Sequence, residues 1–83
     1  MKFQLFSAEN CTPCKSVYNY LINNFPTLKF ELVYYHIRPD LFNQHMIKGT
    51  PTLVVNDEVK CMGYDNIVDY INSITYFDVT EEE

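Results

Sequence analysis

Cys11 and Cys14 enclose Thr12-Pro13 in the segment "SAENCTPCKSVYNYLINNF", between an apolar run free of breakers and a stretch of helical periodicity. Residues Lys2 to Phe6 ("KFQLF") predict a short strand buried on both faces, followed by a polar loop. Val17, Tyr18, Leu21, Ile22 and Phe25 then recur at helical spacing, predicting a helix from Thr12 to about Asn24. Pro13 suits its first turn, where a missing N–H leaves no intrahelical bond unmade, and Pro26 bounds its far end. The strand therefore delivers Cys11 to the start of a helix.

The rest of the chain extends the same alternation. "LKFELVYYHI" (Leu28 to Ile37) is rich in β-formers and predicts a second strand ending near His36. Pro39 and Asp40 open a short helix carrying Leu41, Phe42, His45 and Met46, with Gly49 as its stop. Thr52 to Val55 and Glu58 to Met62 read as two strands joined by the turn Asn56-Asp57, whose side chains tolerate left-handed backbone. Ile67, Val68, Tyr70, Ile71 and Ile74 mark a final amphipathic helix with Asp65 as its N-cap. The order is β-α-β-α-β-β-α, which predicts an α/β fold: a four-stranded mixed sheet with three helices on its faces. One domain is expected over residues 1–77, with an acidic, flexible tail over 78–83.

Composition narrows the function. A chain of 83 residues holds one core, and its 47% apolar and 16% aromatic content is enough to pack it. With six Lys and Arg among eleven acids and a formal charge of −5, a phosphate-tracking surface is not expected. No stretch approaches the roughly 18 apolar residues of a membrane span, and "MKFQLFSAEN" is short of a signal peptide's apolar core. The expectation is a cytoplasmic monomer without a nucleic-acid or membrane partner. Three cysteines are too few for a secreted disulfide framework, so a C-x-x-C pair points to redox chemistry or metal.

Cysteines three apart at a helix start share a face, near the separation a disulfide requires, so Cys11 and Cys14 can close and reopen a ring. Cys11, at the boundary, meets the free N–H groups and positive dipole end that stabilise a thiolate, while Cys14 lies one turn in and is shielded. That makes Cys11 the attacking sulfur and Cys14 the resolving one, with Lys15 as an electrostatic aid or simply a solvated lysine. Two other readings stay open. A zinc site would need ligands from Cys61, His36 and His45, which lack metal-ligand spacing, and the pair could be structural in a non-enzymatic interaction module. Cys61 itself reads as a small apolar strand residue.

The sequence resembles the thioredoxin superfamily, and its element order is most similar to the glutaredoxin branch. The resemblance runs from residue 2 to about 76 and rests on three motifs in order: "CTPC" after the first strand, "GTPTLVV" as the cis-proline segment, and "MGYDN" as the turn opening the last helix. It implies that Cys11 is the nucleophile, Cys14 the resolving thiol, and Pro51 a cis-proline packed on the dithiol. It implies that the backbone of Thr50 pairs with an extended substrate, and that Thr50, Gly63, Tyr64 and Asp65 lie along a glutathione groove. It also implies no bound cofactor, with glutathione or thioredoxin reductase and NADPH as the external electron source and disulfide-containing proteins as substrates. Two segments depart from the glutaredoxin pattern: Ala8, Glu9 and Asn10 stand where a lysine is usual, and Met62 replaces the first of two glycines. "GTPTLVVND" is as close to thioredoxin as to glutaredoxin, and in this the chain resembles the small glutaredoxin-like proteins reduced by thioredoxin reductase, some of which donate electrons to ribonucleotide reductase.

Overall fold

The computed structural model describes residues 2–82, with side chains described for residues 2–74. The elements are β1 (Phe3–Ser7), α1 (Thr12–Asn24), β2 (Phe30–Tyr34), α2 (Pro39–Gln44), β3 (Thr52–Val55), β4 (Glu58–Met62) and α3 (Tyr64–Glu82). The strands form one sheet in the order β2-β1-β3-β4. β2 runs parallel to β1, pairing Leu5 with Leu32, while β3 runs antiparallel to it, pairing Leu5 with Leu53. The four-stranded mixed sheet with three helices is the architecture expected from the sequence.

β1 lies in the middle of the sheet, and all five of its residues are buried. Alternation along the strand sends its side chains to two separate cores. Phe3 and Leu5 join Leu53 and Val55 under Val17 and Leu21 of α1 and Ile67 and Ile71 of α3. Phe6 joins Val33 and Val54 under Phe42 of α2, meeting the Phe42 ring edge-on at 4.9 Å between centroids. Both faces of the strand are covered, so its polar residues Gln4 and Ser7 are buried as well, and Gln4 Nε2 donates to Glu31 Oε1 at 2.8 Å on the neighbouring strand. α1 thus rests on the strand that leads into it, so Cys11 sits where a rigid strand turns into a docked helix.

Several boundaries differ from the sequence expectation. β1 ends at Ser7 rather than Phe6. β2 ends at Tyr34, because the N–H groups of Ile37 and Arg38 fold back to the Tyr34 carbonyl and turn the chain before Ile37. α2 stops at Gln44, well before Gly49. Its end is a Schellman turn: Met46, at φ 55°, takes the left-handed position, with Ile47 N–H bonded to the Phe42 carbonyl and Met46 N–H to that of Asn43. Ile47 packs against the small core that holds Phe42, in keeping with the apolar contact that accompanies this motif, so a methionine does here what glycine usually does.

The helix faces also need correction. α1 buries Cys14, Val17 and Leu21, whereas Tyr18 and Ile22 are exposed on its flank. Asp65 is not the cap of α3: it lies in the first turn, and the Gly63 carbonyl accepts the first bond, from Ile67 N–H. The β3–β4 hairpin matches its expected bounds, with Asn56 and Asp57 both at positive φ (51° and 68°), as a two-residue turn of this twist requires. No helix among the described residues is long and apolar enough to cross a membrane. The expected tail over 78–83 falls on residues whose side chains lie outside those described.

Candidate active site

β1 ends at Ser7, and three residues later Asn10 adopts φ 57°, a left-handed turn that asparagine tolerates and that swings the chain into α1. Cys11 is the N-cap, in extended backbone. Caps are usually filled by a side-chain oxygen. Here the acceptor is sulfur: Cys14 N–H donates to Cys11 Sγ at 3.2 Å. Pro13, exposed in the first turn, has no N–H to compete for that sulfur. Cys14 is 4% exposed and Cys11 is half-buried, so the two sulfurs present unequal faces to solvent. A disulfide joins them, with the Cα atoms 5.2 Å apart.

A second segment closes on Cys11 from across the sheet. The Thr50–Pro51 peptide bond is cis. Thr50 Oγ1 lies 3.5 Å from Cys11 Sγ, and the Thr50 carbonyl oxygen lies 3.9 Å from it. The turn is held by Thr52 Oγ1 donating to the Gly49 carbonyl at 2.6 Å. Gly63 N–H in turn donates to the Pro51 carbonyl at 2.9 Å, which ties the start of α3 to the same loop. At φ 95° Gly63 turns the chain from β4 into that helix. Cys11, Thr50, Pro51 and Gly63 are therefore one contiguous set, assembled from residues up to 52 positions apart.

The remaining residues named from the sequence divide. Asp65 is exposed in the first turn of α3, next to this set. The ring of Tyr64 turns the other way, packing on the larger core and meeting Tyr20 edge-on at 6.3 Å. Met62 lies across Gly49, with its sulfur 3.0 Å from where a side chain on that glycine would begin. Cys61 pairs with Leu53 across the hairpin and packs against the larger core, and burial raises its thiol above the usual range. His45 stacks edge-on against Phe6, and His36 lies beside Tyr34 with its Nδ1 3.7 Å from a Glu9 carboxylate oxygen. Among the described residues, no three His, Cys, Asp or Glu side chains are grouped to hold a metal ion.

Sequence reasoning missed two features here. One is the reach of Glu9 toward His36, which joins the loop before Cys11 to the turn after β2. The other is a concavity of about 290 Å³ on the Cys14 side of α1, lined by Ser7, Asn10, Cys14, Lys15, Tyr18 and Tyr34 among others. Both are made by segments distant in sequence, and no local pattern marks either one.

This geometry defines a class: a helix-start dithiol facing a cis-proline loop on a mixed sheet is the thioredoxin fold. No family model matches the chain, and no curated protein matches it in sequence. Solved structures do. Thioredoxin 1 of Thermosipho africanus is similar over 100% of both chains, with a TM-score of 0.69 at 19% identity. Plasmodium falciparum thioredoxin is similar over 90% of this chain and 69% of its own, with a TM-score of 0.63 at 27% identity. Reduced Escherichia coli glutaredoxin is similar over 88% and 95%, with a TM-score of 0.58 at 17% identity. The chain has the thioredoxin fold, and the likeness to the Plasmodium thioredoxin supports the thioredoxin-superfamily assignment read from its motifs.

Proposed function

We propose that the protein is a dithiol–disulfide oxidoreductase that reduces protein or small-molecule disulfides through Cys11. The observation that carries this reading is the Cys14 N–H directed at Cys11 Sγ at 3.2 Å, with Cys14 itself buried. When the pair is reduced, that N–H and the other free donors of the first turn stabilise negative charge on Cys11. The Cys11 thiolate attacks one sulfur of a substrate disulfide, forming a mixed disulfide and releasing the other sulfur as a thiolate. The Cys14 thiolate then attacks Cys11 Sγ, expelling the second substrate thiolate and closing the Cys11–Cys14 disulfide. Two electrons pass to the substrate, and an external dithiol or two monothiols must return them.

On this reading no bound cofactor takes part, and the working compartment is a reducing one such as the cytoplasm. The electron source is glutathione or thioredoxin reductase with NADPH. The protein acts as a monomer on disulfide-containing proteins, with ribonucleotide reductase a substrate of the kind it would serve. Pro51 and the Thr50 backbone align an extended substrate by a short strand-like pairing, and Gly63 and Asp65 flank its path.

The test supplies each electron source in turn, glutathione with glutathione reductase or NADPH with thioredoxin reductase, and follows reduction of insulin disulfides. Turnover with one of the two is expected. Purified protein that carries zinc and reduces nothing with either source would overturn the reading in favour of an interaction module.

A further inference from the structure

We propose that the side-chain hydroxyl of Thr50 is a second hydrogen-bond donor to the attacking sulfur, a catalytic contact delivered from the cis-proline loop rather than from the helix. The proposal rests on the oxidoreductase reading above and assigns Thr50 a role distinct from backbone pairing with substrate. Thr50 Oγ1 stands 3.5 Å from Cys11 Sγ, within reach of a hydrogen bond to sulfur, while Cys14 N–H reaches the same atom from the helix at 3.2 Å.

The two donors converge from different segments. In the disulfide, Cys11 Sγ carries no proton, so the Thr50 hydroxyl can only donate to it. In a reduced, protonated Cys11, the S–H can instead donate to the Thr50 carbonyl oxygen, 3.9 Å away. One residue thus offers an acceptor to the thiol and a donor to the thiolate. The donor matters more, because a hydrogen bond to an ionised group is about twice as strong as one between neutral groups.

The hydroxyl is also held in place. Thr50 precedes a proline in a turn tied at both ends, by Thr52 Oγ1 on Gly49 and by Gly63 N–H on Pro51. β-Branching further limits the rotation of its side chain. The donor is therefore in position before any charge develops on the sulfur, which is what makes such a contact effective in an exchange reaction.

The experiment compares the parent with Thr50→Val, which keeps the branched shape and loses the hydroxyl, and Thr50→Ser, which keeps the hydroxyl. In each reduced protein, Cys11 alkylation by iodoacetamide is followed against pH by peptide mass spectrometry. Thr50→Val should raise the labelling midpoint by about half a unit to one unit, while Thr50→Ser stays with the parent. Exchange at neutral pH should slow only about two- to fourfold, since a more basic thiolate is also a better nucleophile, so the midpoint is the sharper readout. A Thr50→Val profile that overlays the parent, or a Thr50→Ser profile that shifts equally, overturns the proposal. Should valine prevent folding, Thr50→Ala makes the same comparison. A parent protein whose Cys11 titrates like free cysteine and exchanges nothing defeats the oxidoreductase reading itself, a result distinct from an acidic Cys11 indifferent to Thr50.

Discussion

The backbone N–H of Cys14 donates to the sulfur of Cys11, so the residue that would resolve the mixed disulfide also polarises the residue that would form it. The two cysteines are consequently not interchangeable. Replacing Cys14 with Ser preserves the backbone donor and removes the resolving thiol, so this variant should accumulate a stable mixed disulfide on Cys11 with a small disulfide reagent. Replacing Cys11 with Ser should accumulate none. Intact-mass measurement after quenching checks both, and trapping on Cys14 instead would reverse the assigned roles.

Cys61 should behave as the inert thiol. Burial raises its ionisation above the usual thiol range, so in a Cys11→Ser/Cys14→Ser background it should react with iodoacetamide more slowly than free cysteine at pH 8.5. The same shift has a consequence for stability. The folded protein retains the Cys61 proton where the unfolded chain has lost it, so this contribution is fully present below the ordinary thiol range and is lost as pH rises through the raised folded value. Denaturant titrations of the parent and Cys61→Ala between pH 7 and 10.5 should diverge at the alkaline end, with the parent losing stability faster.

Leu21 and Ile22 are adjacent in α1 and have opposite environments, the first fully buried and the second 42% exposed. Leu21→Ala should lower unfolding free energy by about 2–5 kcal/mol through lost burial and a residual cavity. Ile22→Ala should change it by roughly 0.5 kcal/mol or less. Urea unfolding followed by far-UV circular dichroism distinguishes these outcomes, and similar losses at both positions would contradict the observed rotation of the helix.

Gly63 has φ 95° and open space around the position a side chain would take. Gly63→Ala should therefore cost about 1–2 kcal/mol from backbone conformation alone, without a steric clash. The expected signature is a lower urea midpoint with the slope of the transition retained. An alanine variant as stable as the parent would count against this backbone geometry at the turn.

Local chemistry was legible in the sequence wherever it depends on neighbours a few residues apart. "CTPC" between a strand pattern and a helix pattern located the dithiol, and Asn56-Asp57 located the hairpin, because turn residues and hydrophobic spacing act within one or two turns of chain. Boundaries were less legible where a tertiary contact competes with local preference. α2 ends at Gln44, with its left-handed turn at Met46 rather than Gly49, because Ile47 is drawn into the core that holds Phe42, and the order of apolar residues does not record that attraction. The exposure of Tyr18 and Ile22 has a related cause: α1 meets the sheet along the narrow stripe Cys14, Val17 and Leu21, and periodicity fixes a face only to within about a quarter turn.

What the chain order of residues determined alone is that two sulfurs stand at a helix start on a small mixed-sheet domain. What tertiary structure decided is the environment of the outer sulfur. Thr50 lies 39 positions from Cys11 in sequence, and Gly63 reaches the same loop only through the β3–β4 hairpin. The donors, the cis-proline turn and the start of α3 meet because the pairing of β1 with β3 brings their ends together. Long-range strand registry is set by which side chains can be buried at once, a property of the whole core and not of any one segment.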